Sequence, residues 1–193
     1  SQGDYPQAIE YYQKSLKISE QRKDGAGVAV SYNNLGNIYM LQGDFERALQ
    51  MHQKALTLDL KLGNERVIAQ DYCSLANDYG KQGRDNLALE MYEKSLEICL
   101  RLDDKHTITT VYGNLGVIHI HLGNAWQAVN LYEKSLDMFK NIRDEAGIAR
   151  QYGNLANVYS MMGISPQALA YYENALTIFE RIGDRHSAAQ TYL

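Results

Sequence analysis

An internal repeat with a constant period of 40 residues constrains the fold of this chain more than any other feature of its sequence. The octapeptide YNNLGNIY, which begins at Tyr32, has counterparts that begin at Tyr72, Tyr112 and Tyr152. A fixed period of this length indicates similar units of secondary structure that stack on their neighbours and share a core. Four further columns keep the same step: Gly3, Gly43, Gly83, Gly123 and Gly163; Ala8, Ala48, Ala88, Ala128 and Ala168; Leu16, Leu56, Leu96, Leu136 and Leu176; Asp24, Asn64, Asp104, Asp144 and Asp184.

Each unit is predicted to contain two amphipathic α-helices joined by short turns. Apolar residues recur at the spacing of one helix face, as at Leu35, Ile38 and Tyr39, and the alternation typical of strands is absent. The glycine column marks the turn between the two helices, where a left-handed residue ends the first helix. The alanine column is expected where the paired helices approach most closely. Four residues are expected to cap the second helix: Asp4, Asp44, Asn124 and Ser165.

The composition excludes several classes of protein. Of the 193 residues, 45% are hydrophobic and 22% are charged, which favours a folded chain over a disordered one. The formal charge of -4 gives no overall attraction to nucleic acid, and no long apolar run indicates a membrane span. The two cysteines lack metal-binding spacing, and no signal peptide is recognised at the amino end. We therefore expect a cytoplasmic protein with reduced cysteines and with neither nucleic acid nor membrane as partner.

No constellation of residues for catalysis or cofactor binding is found. His119 and His121 lie two positions apart and would point to different sides of a helix, unlike the i, i+4 pair of a helical zinc site. The segment Gly25-Ala26-Gly27 lacks the preceding strand and the third glycine of a dinucleotide-binding loop. We therefore predict no enzyme activity, no metal and no cofactor.

Two residues depart from their columns and leave alternatives open. Asp78 replaces the apolar residues Ile38, Ile118 and Val158. It is either a functional acid or, as we expect, a partly exposed or locally hydrogen-bonded side chain. Trp126 lies near the start of a predicted helix. It is expected to be a surface or packing aromatic residue, and the alternative is a hot spot for binding.

These columns resemble the tetratricopeptide repeat, whose pattern is an aromatic residue, Leu-Gly, Tyr, Ala and a second aromatic residue. The second aromatic residue is a tyrosine in four units, and His52 is the departure. The period of 40 exceeds the usual value of about 34. It is similar to a long form found in spindle-orientation adaptors, kinesin light chains and bacterial peptide-sensing regulators. The positions of one unit are Tyr32, Leu35, Gly36, Tyr39, Gly43 and Ala48, and the tyrosines are Tyr12, Tyr92, Tyr132 and Tyr172.

The resemblance covers the whole chain and implies an all-α fold, a right-handed α-solenoid of antiparallel helix pairs. We predict a single array over residues 1–193. No polar cap is visible at its ends, so either the array is a segment of a longer one or its ends associate head to tail. The predicted boundaries are 1–30 for a partial repeat and the start of the next first helix, 31–70, 71–110, 111–150 and 151–190 for full repeats, and 191–193 for the start of a further helix.

The resemblance also implies that the first helix of each pair lines a concave side that binds a partner. Helical spacing then selects the residues that share this face. None of them is a carboxylate, so the basic members Arg66, Lys81 and Arg150 would favour acidic side chains or a free carboxylate. The alternative is that these basic residues are scattered on a solvated face. The candidate peptide-binding residues are Asn33, Asn37, Arg66, Gln70, Asn77, Lys81, His106, Thr110, Asn114, His121, Arg150, Asn154, Asn157 and Met161.

The asparagines of this set carry both donors and acceptors. They either hold the backbone of an extended peptide or pair within the array and join adjacent repeats. The predicted function is a non-enzymatic scaffold that binds a peptide segment of a partner protein. The alternatives are a sensor domain of a larger signalling protein and a self-assembling structural rod.

Overall fold

The structure, a computed structural model, describes residues 5–191, with side-chain surroundings up to residue 188. Its described part consists of ten α-helices joined by short turns, without a strand. Gly3 and Asp4 lie outside the described residues. The first five helices are α1 (Tyr5–Gln21), α2 (Gly25–Leu41), α3 (Phe45–Leu62), α4 (Glu65–Lys81) and α5 (Asp85–Arg101). The next five are α6 (Lys105–His121), α7 (Ala125–Ile142), α8 (Glu145–Met161), α9 (Ser165–Arg181) and α10 (Arg185–Thr191).

The chain divides into two compact units, residues 1–103 and 104–193. In unit 1 each helix from α1 to α5 packs against the next one, and in unit 2 the same holds from α6 to α10. We call α2, α4, α6, α8 and α10 the first helices, and α1, α3, α5, α7 and α9 the second helices. The hairpins α2–α3, α4–α5, α6–α7 and α8–α9 recur with the period of the sequence. The predicted all-α fold of consecutive helix pairs is confirmed.

The turn after each first helix depends on glycine. Gly43, Gly83, Gly123 and Gly163 have φ values of 76, 70, 77 and 74 degrees, as the glycine column predicts. The turn after each second helix also contains one left-handed residue. In two of these five turns that residue is a glycine. The other three are Lys23, Asp103 and Arg143.

The predicted caps of the second helices are correct at one of the described positions. The side chain of Asp44 accepts a hydrogen bond of 3.0 Å from the backbone N–H of Arg47. Asn124 is at the N-cap of α7 but makes no capping bond, and its amide lies 3.5 Å from the ring of His119 instead. Ser165 is already inside α9, whose N-cap is Ile164. Asn124 therefore occupies the predicted N-cap position without the capping bond, and the prediction for Ser165 was wrong because the N-cap of α9 is one residue earlier.

The first helices are capped more regularly than the second ones. The fourth column of the repeat supplies their N-caps, and each side chain accepts a bond from a backbone N–H three residues later. Each such cap is worth about 1 kcal/mol. The residues are Asp24, Asn64, Asp104, Asp144 and Asp184.

Small residues let the helices of a hairpin approach each other. Ala48, Ala88 and Ala128 are completely buried, as the alanine column predicts. Larger apolar residues form separate clusters around these alanines. One cluster in unit 1 contains Leu35 and Tyr39. Unit 1 also buries one histidine and three aspartates between its helices, whereas the described part of unit 2 buries no histidine and no acid. The four residues of unit 1 are His52, Asp59, Asp71 and Asp78.

Candidate functional site

The candidate peptide-binding residues all lie on first helices. We call the faces that they occupy the first-helix surface. Three of them, Asn33, Asn114 and Asn154, are half-buried. The exposed ones are Asn37, Arg66, Gln70, Asn77, Lys81, His106, Thr110, His121, Arg150, Asn157 and Met161.

In unit 2 four of these residues meet around one cavity of about 170 Å³ between α6 and α8. Thr110 and Asn114 come from α6, and Arg150 and Asn154 come from α8. Because residues four apart share a helix face, each helix contributes two neighbouring turns to the wall. The lining residues are Thr109, Thr110, Gly113, Asn114, Val117, Phe139, Arg150, Gln151 and Asn154.

The cavity in unit 2 is suited to an anion. None of its lining residues is a carboxylate, and its only formal charge is the guanidinium of Arg150. That guanidinium lies 5.9 Å from the centre of the Phe139 ring, a contact that holds it in place without neutralising it. Beside it, the amide of Asn154 donates a hydrogen bond of 3.2 Å to the buried Gln151. The planar guanidinium can bind a carboxylate through two parallel hydrogen bonds.

In unit 1 one candidate residue, Asn33, makes a hydrogen bond within the fold. The side-chain amide of Asn33 donates a hydrogen bond of 2.7 Å to Asp71, which joins α2 to α4. This bond follows the alternative in which asparagine joins adjacent repeats. Gln70, Asn77 and Lys81 are exposed on α4.

Two other asparagines are held by a tyrosine of their own hairpin. The hydroxyl of Tyr172 donates a 2.6 Å bond to the side-chain oxygen of Asn157, and Tyr92 donates to Asn77 in the same way. The bond uses the amide oxygen and leaves the NH2 group to donate towards solvent or a ligand. Neither of the two sequence alternatives included this arrangement. The tyrosine hydroxyl thereby orients the NH2 donor of the asparagine at the surface. Both tyrosines belong to the column of the second aromatic residue.

The first-helix surface also exposes apolar side chains. Leu41 and Met161 are 65% and 68% exposed, and Val30 and Val117 are exposed as well. Apolar area next to a few polar donors is a composition common in interfaces and ligand sites of proteins.

Asp78 differs from its expectation as a partly exposed or locally bonded side chain. It is completely buried, and its Oδ2 atom lies 2.6 Å from Nδ1 of His52 on α3. The two departures from the columns that the sequence revealed therefore contact each other. Burial raises the pKa of Asp78, although the bond to His52 opposes this shift.

Sequence reasoning missed Asp59 and Asp71, which are buried in the same part of unit 1. Burial raises the pKa of Asp71 to about 7, and the neighbouring Asp59 acts in the same direction. Asn33 and His52 act in the opposite direction. A signal was present in the sequence, because no other repeat has an acid in the column of Asp59 or in the column of Asp71. The columns read Ser19, Asp59, Cys99, Phe139, Phe179 and Ser31, Asp71, Val111, Gln151.

The remaining singled-out residues show no catalytic arrangement. Trp126 is 61% exposed, and its ring meets the edge of Tyr159 at 6.3 Å, so it is a surface aromatic residue that also packs. Cys73 and Cys99 form no disulfide bond, and burial raises the pKa of Cys73 to about 11. Among the described residues, no group of His, Cys, Asp and Glu has an arrangement that could hold a metal ion. Over the same range no helix is both long and apolar enough to cross a bilayer.

Comparisons with known proteins agree with this architecture. Two family models, both described as tetratricopeptide repeat, match residues 1–61 with 68–141 and residues 148–182. The chain belongs to the tetratricopeptide repeat family. No curated protein matches its sequence.

Solved structures share the fold at low sequence identity. BtubC from P. vanneervenii is 22% identical, with a TM-score of 0.86 over 98% of this chain and 80% of that one. A putative kinesin light chain from Podosopora anserina is 17% identical, with a TM-score of 0.79 over 94% and 90%. A Rap protein complexed with competence and sporulation factor is 17% identical, with a TM-score of 0.84 over 98% and 53%. This similarity places the chain in the α-solenoid fold class.

Proposed function

We propose that this chain is a cytoplasmic scaffold without enzyme activity that binds an extended segment of another protein along its first-helix surface. The observation that carries the proposal is the unit 2 cavity, where Thr110, Asn114, Arg150 and Asn154 converge from two helices. A preformed surface of this kind does not have to be ordered when it binds, so a disordered segment loses only its own entropy.

The chemistry of the surface points to an acidic segment or a terminal carboxylate. The Arg150 guanidinium faces a cavity without carboxylates, and Lys81 is exposed on α4 of unit 1. The amides that Tyr92 and Tyr172 orient, those of Asn77 and Asn157, would donate to the backbone carbonyls of the bound segment. The similar Rap protein is complexed with a factor, which supports a ligand-binding role for this fold.

Charge reversal tests the proposed site. Short random peptides displayed as a library are selected on the chain, and two versions of an enriched peptide are made, one with its Asp and Glu residues and one with Asn and Gln. For the variant with Arg150→Glu and Lys81→Glu we expect the affinity of the acidic peptide to fall about tenfold or more, because a charge-assisted hydrogen bond contributes about 1.5 to 3 kcal/mol. The amide version should change much less. Titration calorimetry measures both.

A matched control reverses two lysines on second helices. Lys54 and Lys134 are exposed, and each lies over a tyrosine ring of its own hairpin. Lys54→Glu with Lys134→Glu alters the net charge by the same amount and should leave both affinities nearly unchanged. The site is refuted if the two double variants weaken binding equally, and the function is refuted if the library yields no enriched peptide. Sedimentation of the free chain separates peptide binding from a self-assembling rod, since only the rod sediments faster with concentration.

A further inference from the structure

Four ionisable side chains are buried together at the contact between α3 and α4 in unit 1. His52 and Asp59 come from α3, and Asp71 and Asp78 come from α4. All four are at most 4% exposed. No other repeat has an acid or a histidine at any of these positions. Burying such groups is costly unless they are paired, so four departures at one contact need a physical explanation.

One half of this buried cluster is a histidine–carboxylate pair. Nδ1 of His52 and Oδ2 of Asp78 are 2.6 Å apart, which is a short distance for a bond that contains one proton. Gly36 makes room for the ring, because a methyl group there would overlap with the imidazole. The proton between these two groups satisfies one atom of each.

The other half is a pair of carboxyl groups. Asp59 and Asp71 interact with each other, and the side-chain amide of Asn33 donates to Oδ1 of Asp71. Oδ2 of Asp59 and Oδ2 of Asp71 are both buried and have no donor among the described residues. Two interacting carboxyl groups that each have a buried oxygen without a donor are satisfied together if they share one proton. The geometry therefore favours a shared proton at this contact.

The charged surroundings make the state of this proton important. The charged groups that act on Asp71 are Asp59 and His52 from α3, and from α2 the side-chain amide of Asn33 donates a hydrogen bond to it. Asp78, two helix turns further along α4, contacts His52 and not Asp71. On the opposite side of α4, the Ser95 hydroxyl of α5 donates to the carbonyl of Ala69 and not to the acids. Two ionised carboxylates at this position would repel each other where water does not screen them.

We propose that the contact between α3 and α4 is a proton-responsive joint, which packs tightly while Asp59 and Asp71 share one proton and opens locally when that proton is lost. The proposal does not depend on peptide binding, because the joint belongs to the fold of unit 1. Since Asn33 connects Asp71 to the first-helix surface, opening also changes the position of a candidate binding residue.

The direction of the pH effect follows from the raised pKa of Asp71. The folded chain retains a proton that the unfolded chain releases near the ordinary value of 3.8, and the folded value is about 7. The stabilisation is therefore complete below the ordinary value and is lost as the pH rises through the folded one. Asp44 has a lowered pKa because of its bond to Arg47, and it acts in the opposite direction. The test therefore compares local opening at matched positions of the two units and does not use the free energy of unfolding of the whole chain.

Hydrogen exchange of backbone amides measures opening at matched positions of one molecule. The amides of Leu56 and Leu75 report on the α3–α4 contact, and those of Leu136 and Leu155 occupy the same repeat positions in unit 2. As the pH rises from about 5 to 7.5, we expect the protection factors in unit 1 to fall relative to those in unit 2. One linked proton gives a limit of about tenfold per pH unit.

Two variants make this test specific. Asp71→Asn keeps an uncharged hydrogen-bonding group at the contact and should weaken the pH dependence of the ratio of protection factors, leaving only the part that the raised pKa of Asp78 contributes. Asp137→Asn changes an exposed aspartate of α7 and should behave as the wild type. A ratio that does not change with pH in the wild type overturns the proposal, as does an equal change in Asp71→Asn. If Asp71→Asn does not fold, Asp59→Asn removes the other half of the pair, and the wild-type ratio is decisive by itself.

Discussion

At the scale of single residues, glycines inside the first helices play different roles according to what faces them. Gly36 and Gly153 are both glycines inside first helices, but only Gly36 is covered by a neighbouring side chain. The imidazole of His52 occupies the space where a methyl group at Gly36 would lie, whereas a methyl group at Gly153 would meet nothing within 4 Å. The same residue type inside two first helices therefore does not mean the same environment.

This difference predicts opposite effects for the same substitution. Gly36→Ala should lower the free energy of unfolding by about 1 to 3 kcal/mol, because the added methyl group overpacks the contact with His52. Gly153→Ala should raise it by about 0.5 to 1 kcal/mol, because alanine loses less entropy in a helix. Urea unfolding monitored by circular dichroism measures both. A Gly36→Ala variant as stable as the wild type would contradict the packing described for His52.

At the scale of helices, their ends show how far local sequence explains the structure. The acids that precede the first helices bond to backbone N–H groups as a capping rule requires. At the other end, α7 stops at Arg143, which has a left-handed φ of 58 degrees, where the equivalent residue in two other hairpins is glycine. A side chain with a Cβ atom in this conformation costs about 1 kcal/mol.

We therefore expect Arg143→Gly to stabilise the chain. Removing the Cβ atom relieves the left-handed conformation, and the greater entropy of glycine in the unfolded chain offsets part of this gain, so that the net increase is about 0.5 kcal/mol. The inverse change, Gly63→Arg, at the same turn of unit 1 should lower the free energy of unfolding by a similar amount. Thermal unfolding of the two variants checks the pair, and a loss of stability in Arg143→Gly is the opposite of what this turn requires.

At the scale of the whole molecule, the charge of the chain and the charge of its candidate site have opposite signs. The formal net charge is -4, but no carboxylate belongs to the candidate peptide-binding residues. Several of the acids lie on second helices, where Glu10 and Glu90 pair with lysines one turn away. Attraction of an acidic segment is thus a local effect that acts against the net charge of the molecule.

Salt should separate these two effects. As the NaCl concentration rises from about 0.02 to 0.5 M, the screening length falls from about 20 to about 4 Å. The affinity of the acidic library peptide should therefore decrease, while that of its amide version should stay nearly constant. Fluorescence anisotropy at several salt concentrations measures both. An acidic peptide that binds more tightly at high salt would show that repulsion by the whole chain outweighs the attraction at the site.

Much of the fold could be predicted from the sequence, and so could the face that carries the candidate site. Helical spacing selected Thr110 and Arg150, and Asn114 and Asn154 were included as neighbours of the predicted asparagine ladder; the structure brings the four around one cavity. Spacing could not indicate that Asn77 and Asn157 are held by tyrosines 15 residues away. It also could not assign Asp78 a partner on another helix.

The sequence by itself determined the period, the two helices of each unit, their glycine turns and the residues that share a helix face, because these depend on local geometry and on the periodicity of one helix. Only the tertiary structure decided which of these faces meet and which polar groups become partners. His52 and Asp78 are 26 residues apart, and Asn33 and Asp71 are 38 apart. Such pairs depend on how far each helix is rotated and shifted against its neighbour, and this is determined by the packing of all the side chains between them.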